Sequence, residues 1–234
     1  MTRFLAVVLL LATATAAPAA MRTYSVIGFQ KIEVSGPYKV IVRTGPGASA
    51  VATGDGDAID KLIVDVRAQR LVIQPNRVNW TGITGSGRIG AATVMVTVPS
   101  LSAAMVAGSG SVAIDRLGGD RFLGTVNGSG ALDIARSDVD RLTLGVSGSG
   151  AIAVAGRCQQ AVVSVQGAGA INGQGLSCAD VQVSAQGSGN VTLAAGRSAK
   201  VTAAGSGDVA IVGDGACTVN ATGSGSVLCG KELR

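Results

Sequence analysis

From Leu101 onward, apolar and polar residues alternate with a period of two, and the alternation restarts at a recurring tripeptide. Gly-Ser-Gly or Gly-Ala-Gly begins at Gly108, Gly128, Gly148, Gly167, Gly187, Gly205 and Gly223, at steps of 20, 20, 19, 20, 18 and 18 residues. Counted from each first glycine, positions +4 and +6 hold Val112/Ile114, Leu132/Ile134, Ile152/Val154, Ile171/Gly173, Val191/Leu193, Val209/Ile211 and Val227/Cys229. Positions −4 and −2 are similarly apolar or small, as in Leu144/Val146, Val163/Val165, Val183/Ala185, Val201/Ala203 and Val219/Ala221. Each repeat therefore predicts two short strands around a glycine corner, one row of side chains inward and the other toward solvent. The few small apolar side chains of one repeat cannot offset the entropy of ordering about twenty residues. Stacking solves this, because each strand then bonds to its equivalents above and below.

A period near twenty with two or three strands per turn predicts an all-β chain, a parallel β-helix with coils of about 18–20 residues. Leucine-rich repeats share the period but need a Leu and Asn ladder that is missing, and helical repeats need a period of 3.6. Residues 20–100 lack the tripeptide rhythm but still read as β, with strands at Phe29–Ser35, Tyr38–Thr44, Ala48–Thr53, Lys61–Arg67, Arg70–Gln74 and Thr93–Pro99 separated by Gly, Pro and Asp turns. The expected organisation is an irregular N-terminal β region over 20–100, forming early coils or a cap, and a regular solenoid over 101–234. An end with unpaired strand edges needs such a cap.

The first residues, MTRFLAVVLLLATATAAPAAMRTYS, place one Arg before an apolar run and then Ala-x-Ala cleavage options ending at Ala16 or Ala19. Residues 1–19 are expected to be a secretory signal peptide; the run is shorter than the roughly 20 apolar residues of a membrane span, and no later segment approaches that length. The chain carries 19 Lys+Arg against 14 Asp+Glu, and this mild excess is scattered. With aromatics at 3%, it lacks the basic face and stacking rings of a nucleic-acid binder.

Taken in order, GFQKIEVSGPYKVIVRTG, LIVDVRAQRLVIQPN, VTVPSL and the Gly-Ser-Gly ladder to CTVNATGSGSVLCG resemble the GIN-domain family, named as the head domain of autotransporter adhesins. The resemblance spans nearly the whole chain after the leader. It implies a right-handed β-helix in an exported bacterial protein, with adhesion suggested by the family name. The sequence ends at Arg234 without room for a translocator barrel, so self-secretion is not expected.

The four cysteines fall on the repeat frame. Cys158 and Cys178 each lie nine residues before the next corner, and Cys217 and Cys229 sit at −6 and +6 around Gly223. In an exported chain this predicts the bridges Cys158–Cys178 and Cys217–Cys229, the alternative being buried free thiols. With no His and no Cys-x-x-Cys, neither zinc nor triad chemistry is expected, and no cofactor is called for. Stacked carboxylates are the remaining enzymatic option: Asp120 and Asp140 both lie eight residues before a corner, each followed by Arg, a spacing that suits a retaining glycosidase or, more simply, an alternating surface ion-pair ladder. Asp208 does not recur in the other repeats, which argues against a calcium nonapeptide. The segment from Pro75 to Gly90 holds the single Trp, and Arg77, Trp80 and Arg88 are the candidate ligand contacts, with Trp80 as a plug of the solenoid flank as the alternative. These readings predict an exported, non-enzymatic binding or adhesion module in the periplasm or at the cell surface, meeting an envelope glycan or protein. A carbohydrate-active enzyme and a self-associating scaffold are the alternatives.

Overall fold

Alternating rows of this kind can be satisfied only by neighbours in register, and the fold supplies them along most of the chain. The computed structural model describes residues 20–76 and 92–230; the expected signal peptide and the positions Arg77, Trp80 and Arg88 lie outside them. Strands β1 (Ala20–Tyr24), β2 (Lys31–Ser35), β3 (Lys39–Thr44) and β4 (Ser49–Gly54) precede a single-turn helix α1 (Gly56–Asp60), followed by β5 (Leu62–Arg67), β6 (Arg70–Pro75) and β7 (Ala92–Val98). The ladder comprises β8 (Ala103–Gly108), β9 (Ser111–Ile114), β10 (Leu117–Gly128), β11 (Ala131–Gly148), β12 (Ala151–Gly167), β13 (Ala170–Gly187), β14 (Asn190–Gly205), β15 (Val209–Val212), β16 (Ala216–Gly223) and β17 (Val227–Gly230). The described residues are 76% strand and 3% helix, a β-solenoid of about 6 turns. No helix among the described residues is long and apolar enough to cross a membrane.

Every pairing from β8 to β17 is parallel, with the corner glycines in one column: Gly108, Gly128, Gly148, Gly167, Gly187, Gly205 and Gly223. Each coil has a front side ending at its corner, a back side after it, and a short third side such as Ser137–Val139. The inward rows form continuous columns. Leu144, Val163, Val183 and Val201 stack directly and are each 1% exposed, and on the back side Val112, Leu132, Ile152, Ile171, Val191 and Val209 do the same.

All six strands expected in the N-terminal region form, but they do not stack in chain order. β2 and β3 lie between the coil of β6 and β7 and the coil of β8 and β9. After β1, the chain therefore lays down the second coil first, builds the outermost coil later, and crosses back near Leu101, where Ser102 N donates to Gln30 O at 2.8 Å. Asp115, just after β9, ties down the end of β3, its carboxylate accepting from Thr44 N at 2.9 Å. Beyond the outermost coil, β5 pairs antiparallel with β6, β4 with β7 and β1 with β4, and α1 buries Ala58 and Ile59 against this end.

Both disulfides are formed. Cys158 and Cys178 are direct partners on adjacent coils with Cα atoms 4.5 Å apart, and Cys217–Cys229 joins β16 to β17 with a Cα separation of 6.4 Å. The first bolts two coils together; the second ties the last coil across its own corner, where neighbouring coils hold it from one side only.

Candidate functional site

Where the third side turns into the front side, the alternation slips and at least two consecutive residues stay out of the core. In successive coils these doublets are Asp120-Arg121, Asp140-Arg141, Gln159-Gln160, Ala179-Asp180 and Arg197-Ser198. Their second members are direct register partners, Arg121 on Arg141, Arg141 on Gln160, Gln160 on Asp180 and Asp180 on Ser198. The first three doublets line a surface groove of about 280 Å³.

The alternating ion-pair ladder expected at Asp120 and Asp140 does not form. Parallel strands in phase put like on like: Arg121 is the register partner of Arg141, and Asp120 and Asp140 stand one residue before them, on coils about 4.8 Å apart. Apart from Arg141 Nε donating to Gln160 Oε1 at 3.1 Å, the four charged groups have no hydrogen-bond or ion-pair partner among the described residues. Like charges directly opposite one another on neighbouring strands are destabilising. The groove thus holds carboxylates and guanidinium groups side by side with most of their hydrogen-bonding capacity unspent.

Elsewhere on the same flank, opposite charges meet. Arg157 Nε and Nη2 clamp Asp138 Oδ1 and Oδ2 at 2.8 Å each, one coil apart. Arg197 makes a two-pronged bond to Asp180, which also accepts from Ser198 Oγ at 2.7 Å. The Arg197 hydrogen bond, then that from Ser198, hold the Asp180 carboxyl down to about 2, below its usual 3.8. A depressed folded value means that the contribution is fully present above the unfolded value and is lost as pH falls toward 2. A carboxyl-detected NMR titration is expected to place Asp180 near 2 in the native protein and closer to its usual value in Arg197→Gln.

Asp208 is also occupied by the fold. It accepts from Ser226 N at 2.9 Å and Ser226 Oγ at 2.7 Å, which lowers its carboxyl below the usual value, the backbone bond contributing most. No group of three His, Cys, Asp or Glu suited to a metal occurs among the described residues. A second depression, of about 500 Å³, lies among the loops of the N-terminal coils between Ile27, Phe29, Gly47, Gln69 and Pro99, and no charged side chain lines it. Of these two depressions, the Asp120–Gln160 groove is the one lined by charged groups, and placed polar groups fix a ligand's orientation. Both carboxylates are exposed, and no described residue encloses them.

The family model described as "Putative auto-transporter adhesin, head GIN domain" matches residues 28–215. Among curated proteins, none matches the sequence. Solved structures do resemble the fold: a "putative adhesin" from Bacteroides fragilis NCTC 9343 (TM-score 0.82, 21% identity, covering 92% of this chain and 98% of that one). Similar too are a "Putative lipid binding protein" from Parabacteroides distasonis ATCC 8503 (TM-score 0.73, 19% identity, 90% and 96% covered) and a "putative adhesin" from Parabacteroides merdae ATCC 43184 (TM-score 0.67, 18% identity, 90% and 95% covered). At these identities the likeness is one of fold.

Proposed function

The chain belongs to the GIN-domain family of adhesin heads, and from that premise we propose that it is an exported, non-enzymatic adhesion module that grips an envelope glycan in the Asp120–Gln160 groove. The observation that carries this reading is the column of like on like: Arg121 is the register partner of Arg141, Asp120 and Asp140 stand one residue before them, and none of the four is ion-paired among the described residues. A chain of hydroxyl groups would donate to the carboxylates and accept from the guanidinium groups and Gln159, relieving both repulsive columns with charge-assisted hydrogen bonds. The family and the two disulfides fit an extracellular or envelope location, where thiols oxidise.

Arg77, Trp80 and Arg88 are a second proposed contact for the same class of ligand. A glycan array is expected to give binding that falls about tenfold or more in the Arg121→Ala/Arg141→Ala double variant, the loss of two charge-assisted bonds, and stays unchanged in Asp138→Asn, whose partner Arg157 lies on the third side. Trp80→Ala reads the second contact separately. Unchanged binding in the double variant would remove the groove from the reading. The enzymatic alternative predicts instead that captured oligosaccharides are shortened, and that Asp120→Asn or Asp140→Asn stops this with the fold intact.

A further inference from the structure

The two ends of the stack differ in kind. At the N-terminal end, β1, β4 and β5 run antiparallel over the outermost coil, and their surface carries the ion pairs Arg22–Asp60 and Arg67–Asp65. At the other end, no described residue covers the columns of the last coil. Among the described residues β16 pairs only with β14, and β17 only with β15. Val219 stacks on Val201, which is 1% exposed, yet Val219 itself is 44% exposed. Its neighbours in the same inward row are Cys217 and Ala221, with Thr218, Asn220 and Thr222 on the outer row. From Gly215 to Gly230 there is no Asp, Glu, Lys or Arg. Edge strands that stay single are ordinarily guarded by charge, bulges or proline, and β16 has neither charge nor proline.

We infer that the last coil is the interface of a tail-to-tail dimer, in which β16 pairs antiparallel with β16 of a second copy of this chain. A twofold axis midway between the two β16 strands, perpendicular to their sheet, keeps inward rows inward. The apolar column ending at Val219 then continues into the second copy, and each edge supplies the backbone donors and acceptors the other lacks. The N-terminal end is a poorer occupant. It would bring Arg22, Asp60, Asp65 and Arg67 against an uncharged coil and strip water from them without new partners. Tail-to-tail contact is also closed by its symmetry, so it ends at two copies and does not grow into a fibre. The coils of β13 and β14 separate β16 from the groove, so a dimer leaves two grooves free to act together. The dimer itself does not depend on what the grooves bind.

Sedimentation of the purified protein is expected to show twice the chain mass, reverting to the single chain on dilution. Val219→Lys, a change at a position already open to water in the single chain, is expected to weaken association about 100-fold or more while leaving the circular dichroism and heat transition of the fold in place. Hydrogen exchange on the unaltered protein reads the same contact without a variant: β16 amides are protected at high concentration and exchange faster on dilution. A single-chain mass at every concentration overturns the inference, as do species that grow beyond two copies and a dimer indifferent to Val219→Lys with β16 amides unprotected.

Discussion

Gly148→Ala is expected to lower the unfolding free energy by about 3 to 5 kcal/mol, whereas Gly145→Ala, three residues earlier, changes it by under about 1 kcal/mol. The same methyl group meets two different environments. Gly148 turns the corner with φ +115, a region that is essentially closed to residues with a Cβ. An added Cβ there would lie 2.7 Å from Gly128 O and 3.2 Å from Gly128 Cα, which are backbone atoms of the coil below and cannot swing aside. At Gly145, within the front side, the nearest atom to an added Cβ is Thr125 Cγ2 at 3.4 Å, an ordinary contact. Because each coil touches only its neighbours, a lesion between two of them also uncouples the halves of the stack. Urea unfolding of Gly148→Ala is therefore expected to show a lower midpoint and a broadened or split transition. A single transition at the native midpoint would mean that the corners are not the fixed points of the coil.

The regular ladder was legible because its signal is redundant: seven corners, and inward positions at −4, −2, +4 and +6 that can be checked against one another. The same frame placed Cys158 beneath Cys178, and their Cα atoms are 4.5 Å apart. It also held the Asp138–Arg157 clamp, since both residues stand ten before a corner. The Asp180–Arg197 pair was hidden from that arithmetic. These residues stand seven and eight before their corners, and the register shifts between Gly173 and Ser177 and between Cys178 and Asp180, where the coil shortens, bring them together.

The groove was half legible. Spacing put Asp120 and Asp140 at equivalent positions, but an alternating ladder would need Asp over Arg. Parallel strands in phase put each side chain over its own kind. The insertion of β2 and β3 between later coils left no mark in the sequence, because an interior strand reads the same whichever coil covers it. The brief helix α1 escaped for a related reason: Gly-Asp-Ala-Ile-Asp is too short to show a helical period, and its two buried residues, Ala58 and Ile59, gain their place from the end of the stack.

Among the front sides, the coil of β10 carries a glycine in the inward row, and with it the second large effect. In the column where other coils hold Leu144, Val163, Val183 and Val201, the coil of β10 has Gly124, while the adjoining inward position holds Phe122, 1% exposed. A Cβ on Gly124 would lie 2.8 Å from Leu132 Cδ2, 3.0 Å from Leu144 Cδ2 and 3.2 Å from Phe122 Cε1. The missing side chain and the large one are thus two halves of one packing solution. Phe122→Ala is expected to cost about 3 to 5 kcal/mol, the transfer loss plus the cavity left behind. Gly124→Leu alone is expected to cost about 1 to 3 kcal/mol by overpacking the same space. Combined, the two changes refill the cavity from the other side of the pair. The double variant is therefore expected to be more stable than Phe122→Ala, with a coupling of about 1 to 3 kcal/mol between sites that would otherwise add. Denaturant midpoints of the four proteins measure this directly, and strict additivity would mean that the ring fills space Gly124 does not share.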